Sequence, residues 1–201
     1  MTADDDAARL RGLALGHPII RTLLDRWTAI DLPDAWLSGS LIAQARWNER
    51  FGLPCDHGIS DADIIYCDPS DLSPESEASH GARLASLFAD LPVPLDVRNQ
   101  ARVHIWYPGS FGFEIEPYRS SREAIATFPT TSAAVGLRLD GGMETAAPFG
   151  LGDLLRPVVR ANATQITPQI FAAKAARWRS MWPDLEILPW SAAVSMRQPA
   201  G

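Results

Sequence analysis

Two aspartates one residue apart, Asp61 and Asp63, stand directly ahead of the apolar run Ile64-Ile65-Tyr66-Cys67. An extended strand alternates its side chains with period two, so a strand starting here carries both carboxylates on one face. Two carboxylates held that close repel unless a cation compensates them. Whatever fold the chain adopts has to bring positive charge to that strand end. Upstream, Asp34-Ala35-Trp36-Leu37-Ser38 reads as a short buried strand leading to Gly39-Ser40. A glycine turn ahead of a helix presents backbone N–H groups that suit a phosphate. The two features together predict a metal–triphosphate site.

A chain of 201 residues, 46% hydrophobic and 21% charged, suits one domain with a real core. The expected division is a pair of N-terminal helices, residues 1–30, packed on a core domain, residues 31–190, with a flexible tail, residues 191–201. The net charge of −6 gives no sign of a polyanion binder. Lys174 is the only lysine among 18 basic residues, which reads as a genome-composition bias. Three aspartates in the first six residues exclude the basic-then-apolar order of a secretory signal. No apolar run approaches the roughly 20 residues of a membrane helix. Two cysteines, Cys55 and Cys67, are too few for a disulfide framework, so a cytoplasmic location is expected.

Helical spacing predicts helices over residues 7–15 and 18–28, broken at Gly16-His17-Pro18. Ser40 is the expected cap of a helix over 41–51. Ser73-Pro74-Glu75 is a strong helix start, running to about Phe88. Residues 93–97 predict a strand carrying Asp96, residues 99–107 lean to helix, and residues 108–117 read as loop. Ser120 or Ser121 caps a short helix, and Asp140-Gly141-Gly142 joins a hairpin of residues 133–139 and 143–147. A last long helix is expected over 167–181.

Taken singly, these features have plainer readings: Gly39-Ser40 as a turn and helix cap, Asp61-Ala62-Asp63 as a solvated junction, Asp96 as an exposed strand residue. Their order, strand, glycine, helix, acidic strand, acidic strand, favours a common site. A phosphatase of the haloacid-dehalogenase type also uses D-x-D, but there the acids follow a buried strand, whereas residues 55–60 are polar and the apolar run comes after. Cys55, His57 and Cys67 lack the paired ligand spacings of a structural zinc site. Glu114 and Glu116 read as a solvated face, and Asp68 and Asp71 as turn residues.

Gly39-Ser40, Asp61-x-Asp63 and Asp96 resemble the pattern of the DNA polymerase β-like nucleotidyltransferase superfamily. A broader likeness is to a small bacterial branch of it. It rests on Asp34-Ala35-Trp36-Leu37, Trp47-Asn48, Asp63 to Pro69, Asp96-Val97, Asn99 to His104, Trp106-Tyr107, Pro117-Tyr118, Thr127-Phe128-Pro129, Val159-Arg160-x-Asn162, Lys174-x-x-Arg177-Trp178 and Trp182-Pro183. The resemblance spans roughly residues 27–190. It implies an α/β nucleotidyltransferase fold, a mixed β-sheet flanked by helices. It also implies transfer of a nucleoside monophosphate from an NTP to an acceptor with release of pyrophosphate. Asp61, Asp63 and Asp96 become the catalytic ligands of two Mg²⁺ or Mn²⁺ ions, and Gly39 and Ser40 bind the β/γ-phosphates. Two departures stand out: a long interval between Gly39-Ser40 and Asp61, whose loop has to fold back, and Ala161 where proline is expected.

Asn99 and Arg102 are expected on the nucleotide or acceptor side because they follow Asp96, the plainer alternative being that Arg102 pairs with a surface acid. Trp106, Tyr107 and Tyr118 are candidates for stacking, although aromatic residues more often fill cores. A small-molecule or protein acceptor is favoured over nucleic acid, and no membrane partner is expected. A catalytically silent nucleotide-binding module of a toxin–antitoxin-like pair, and a metal-dependent phosphohydrolase, are the competing functions.

Overall fold

The computed structural model describes residues 2–195. The chain opens with α1 (Ala3–Gly16), started by a reciprocal cap: Asp5 N–H donates to the Thr2 hydroxyl and Thr2 N–H to the Asp5 carboxylate. Pro18 starts α2 (Pro18–Asp25). Leu10, Leu13, Ile19, Ile20, Leu23 and Leu24 from these helices lie in the same buried cluster as Ile64 and Val97. None of the helices in the described residues is long and apolar enough to cross a membrane.

The order continues β1 (Trp36–Ser38), α3 (Ser40–Phe51), β2 (Ala62–Tyr66), α4 (Pro74–Leu87), β3 (Leu95–Asn99) and α5 (Val103–Phe111). Then come α6 (Ser121–Ile125), β4 (Gly136–Leu139), β5 (Met143–Ala146), α7 (Gly152–Leu155), β6 (Val158–Val159), α8 (Pro168–Met181) and β7 (Glu186–Ile187). Five strands form one mixed sheet in the order β3-β2-β1-β4-β5, and β6 and β7 form a small parallel pair. Only β2 and β3 run parallel in the large sheet, a pairing that α4 makes possible by carrying the chain back over the sheet.

Strand alternation divides that sheet chemically. Leu37, Ala62, Ile64, Tyr66 and Val97 enter the main core with α1, α2 and α3. Trp36 and Ile65 point the other way, into a small cluster with Ile125, Ala134 and Ala146. Asp63 shares their face by parity, so a one-residue slip of β2 would drive its carboxylate into the core and eject Ile64. Register is therefore specified by both faces at once.

The long interval before the acids is folded back by Asn48 and Trp182. Asn48 Nδ2 donates to the carbonyls of Cys55 (3.1 Å) and His57 (2.9 Å), and its Oδ1 accepts from Trp182 Nε1 at 2.7 Å. His57 Nε2 donates to the Met181 carbonyl at 2.9 Å. Gly58, at φ +69°, lies so close to the Trp182 ring that a Cβ would fall 2.4 Å from it. Trp182 also meets Trp47 edge-on at 5.1 Å, and Trp178 meets it from another side at 5.0 Å.

Several elements differ from expectation. The strand bearing Asp96 runs over Leu95–Asn99 rather than 93–97, because Pro92 and Pro94 carry no N–H for a ladder. Asn99 therefore ends a strand instead of starting a helix; a 3₁₀ turn, Gln100–Arg102, precedes α5. That helix passes through Pro108 into the expected loop and stops at Gly112, which is left-handed at φ +82°. The chain beyond Trp190 was expected to be loose, yet Val194 N–H donates to Ala161 and its carbonyl accepts from Ala163. Residues 196–201 of that expected tail lie outside the described residues.

Replacing the Asn48 side chain strands the His57 carbonyl and the Trp182 indole N–H, while the Cys55 carbonyl keeps its bond from His17 Nε2 at 2.9 Å. Asn48→Ala is expected to lower unfolding free energy by on the order of 2–4 kcal/mol in urea titrations. A loss below about 0.5 kcal/mol, the usual size at an uninvolved site, would show that other contacts hold the loop.

Candidate active site

Three strands place three polar side chains in a row. Ser38 on β1 is opposite Asp63 on β2, and Asp63 is opposite Asp96 on β3. Adjacent strands lie about 4.8 Å apart, so the two acids are side-by-side neighbours. The Ser38 hydroxyl donates to the Val135 carbonyl at 2.8 Å and serves the scaffold. Asp61, two residues ahead of Asp63 on the same face, accepts from the Ser60 hydroxyl at 3.1 Å.

Gly39 makes the turn beside this row at φ +81°, and a Cβ there would fall 2.0 Å from Asp63 Oδ2. No other residue fits. Ser40 was expected to cap α3 through its hydroxyl; instead Gly39 is the cap and Ser40 the first helical residue, with no side-chain cap bond. The Ser40 N–H donates to the Asp63 carboxylate, so the positive end of α3 is turned on that acid.

Asp63 carries the strongest electrostatic perturbation of the three. Burial, then the charges of Asp61 and Asp96, push its carboxyl up to about 7, against the opposing pull of Lys174 and the Ser40 N–H. Lys174 comes from α8, its ammonium 4.7 Å from the Trp178 ring centroid. Burial and nearby Arg177 lower its proton affinity, while Asp63 and Asp61 raise it. Asp96 is engaged elsewhere: its Oδ1 meets Arg98 Nε at 2.7 Å. Arg98 also reaches toward Glu77, Nη1 to Oε1 3.7 Å.

Lys174 is the cation that faces this cluster. Among the described residues no three His, Cys, Asp or Glu side chains are arranged as a ready metal-binding group, because each aspartate faces its own partner. The donor chemistry nevertheless fits a hard divalent ion: carboxylate oxygens only, with one acid held near neutrality by its neighbours. Cys55 is exposed, Cys67 is buried, and both are free.

A cavity of about 700 Å³ opens over the acids; Gly39, Ser40, Asp63, Asp96 and Lys174 line one end. Of the other expected residues, Arg102 lines it, and so do Trp106, Tyr107 and Tyr118. Asp61 is not among the lining residues. Asn99 is not on the wall either. It is buried, its Oδ1 accepts from the Asp68 and Ala101 N–H groups, and its Nδ2 donates to the Asp68 and Asp71 carbonyls. Its amide is spent on shaping the chain around β3, which corrects its expected place on the nucleotide side. Arg102 pairs with a buried acid, not a surface one: Nη1 meets Glu77 Oε1 at 2.6 Å and Nε donates to the Leu72 carbonyl. Lys174 was passed over in the sequence. The usable signal was its singularity, a lone ammonium in a chain that otherwise uses arginine.

Comparison with known proteins gives a family and a fold. Residues 25–187 match a family model described as nucleotidyltransferase. An NMR structure described as revealing a CCA-adding enzyme head domain is similar, with a TM-score of 0.74 and 23% identity. The likeness covers 90% of this chain and 94% of that one, and at such identity it speaks for the fold. Comparison with curated proteins gives no match.

The raised Asp63 carboxyl has a consequence for stability. An unfolded chain releases this proton near 3.8 and the folded chain holds it to about 7. The unfolded state therefore binds fewer protons over that window, and folding stability falls as pH rises through it. Asp63→Asn is expected to remove that slope and to be more stable than wild type at pH 8 by about 1–3 kcal/mol. Urea midpoints at pH 5 and pH 8 for both proteins check it.

Proposed function

The chain belongs to the nucleotidyltransferase family, and on that premise we propose that it transfers a nucleoside monophosphate from an NTP to an acceptor nucleophile, releasing pyrophosphate, with two Mg²⁺ or Mn²⁺ ions. One observation carries the reading: Asp63 and Asp96 lie side by side across parallel strands, and Asp63 lies directly against the Gly39 turn.

Asp61 and Asp63 would hold the metal pair, and Asp96 would complete the catalytic position and receive or orient the proton of an acceptor hydroxyl. Two divalent ions bound there would supply charge to the attacking and leaving oxygens. The Gly39-Ser40 backbone and the Lys174 ammonium meet the β/γ-phosphates. The acceptor is a small molecule or a protein side chain; a net charge of −6 disfavours long nucleic acid. Two unpaired cysteines suit a cytoplasmic setting.

The double variant Asp61→Asn/Asp63→Asn is expected to keep the fold by circular dichroism and to lose label transfer from α-labelled NTP by at least about a hundredfold. Undiminished transfer would remove the assignment. Calorimetry separates the rivals: NTP binding with Mg²⁺ but no pyrophosphate across a broad acceptor panel marks a silent nucleotide-binding module. Release of inorganic phosphate instead marks a phosphohydrolase. Mn²⁺ is further expected to raise the melting temperature of wild type but not of the double variant, since ligands stabilise only the state that binds them.

A further inference from the structure

The cavity continues past the acids into an aromatic chamber. From Asp96 the strand face steps by twos to Arg98 and Gln100, and the chain then turns into α5, whose Trp106, Tyr107 and Phe111 form a wall. Tyr118 and Phe128 stand on the cavity wall too, and Ile170, one helical turn before Lys174, belongs to the same α8 face.

What this chamber offers a ligand is ring surface. Tyr107 packs 4.4 Å from Phe111 and 5.3 Å from Phe113, and Trp106 lies 6.0 Å from Tyr107. Both phenols are committed: Tyr107 donates to the Gln165 carbonyl at 2.8 Å, and Tyr118 donates to Gln165 Oε1 at 2.9 Å and shares a bond with Thr127 at 2.7 Å. The nearby arginines are committed as well, Arg102 to Glu77 and Arg98 to Asp96. Trp106 and Phe111 nevertheless keep 41% and 40% of their surface exposed, an unusual cost for large apolar side chains beside a cavity. The volume falls in the range of small-molecule sites, about 300–1,000 Å³.

We propose that the chamber is the acceptor site, and that it takes a small molecule built on a planar ring that carries the nucleophilic hydroxyl. The proposal rests on the nucleotidyl-transfer reading. It favours acceptor over nucleobase because the chamber grows out of the strand that bears Asp96, whereas Gly39, Ser40 and Lys174 gather around Asp63. The hydroxyl oxygen forms a new bond to the α-phosphorus, the bond to the α–β bridging oxygen breaks, pyrophosphate leaves, and the hydroxyl proton passes to Asp96.

The test uses the full chain saturated with Mn²⁺ and a non-hydrolysable ATP analogue, titrated by calorimetry with 2-naphthalenemethanol and, as the ring-free control, glycerol. The naphthyl alcohol is expected to bind without displacing nucleotide, and glycerol not to bind. Trp106→Ala and Phe111→Ala, both at partly exposed positions, are expected to weaken the naphthyl alcohol about tenfold while nucleotide affinity stays within about twofold. Loss of nucleotide affinity in these variants, or competition between probe and nucleotide, overturns the proposal by making the chamber a nucleobase site. No binding of the naphthyl alcohol, or equal binding of glycerol, overturns it directly. A wild type that binds the alcohol but no nucleotide sinks the nucleotidyl-transfer reading instead, and the acceptor assignment with it.

Discussion

The crowding of negative charge around Asp63 is the constraint on which the remaining architecture turns. Its carboxylate is partly buried, faces Asp96 across β3, follows Asp61 in sequence and lies against the Gly39 backbone. Each surrounding feature answers that crowding. Glycine at position 39 leaves room for the oxygen, α3 begins with an N–H aimed at it, and the chain's single lysine comes from α8 to oppose the charge. A carboxylate so placed adds nothing to apo stability, which is the usual sign of a group retained for chemistry.

Two polar hubs hold the chain on either side of the site. Asn48 ties the loop before Asp61 to Trp182, and through Trp182 to the aromatic packing beside α8. Glu77 on α4 does the same after Asp96. Its Oε2 accepts the Asn99 N–H at 2.7 Å and its Oε1 holds Arg102, so it ties the end of β3 to the start of α5. Buried polar groups satisfied this completely specify one arrangement, because leaving any member unpaired costs more than the bond itself contributes. The acids can repel one another without the strands parting, since the strands are held elsewhere.

How much of this was legible in sequence differs by element. The D-x-D pair, the glycine turn and Asp96 could be read because strand parity and backbone sterics act over a few residues. The helix starts at Ser73, Ser120 and Thr167 were legible for the same reason: each side chain accepts from an N–H three residues on. Asn99 was misplaced because its partners, Asp68 and Asp71, come from a turn some thirty positions away. Arg102 lines the cavity as expected, but its partner Glu77 lies on a helix whose pattern gives no hint of a buried acid. The anchoring of Val194 on Ala161 and Ala163 is likewise a long-range pairing invisible to local pattern.

Local order along the chain was thus enough to single out the candidate acids and the strand faces they occupy, because period and φ/ψ freedom are properties of short segments. Tertiary structure alone decided that Asp96 comes to rest beside Asp63, that Lys174 is the opposing charge, and that an aromatic chamber continues from the acids. Those outcomes depend on which strands pair and on which helix closes the open face of the sheet. The burial and dielectric that set the strength of each charge exist only once those distant segments have met.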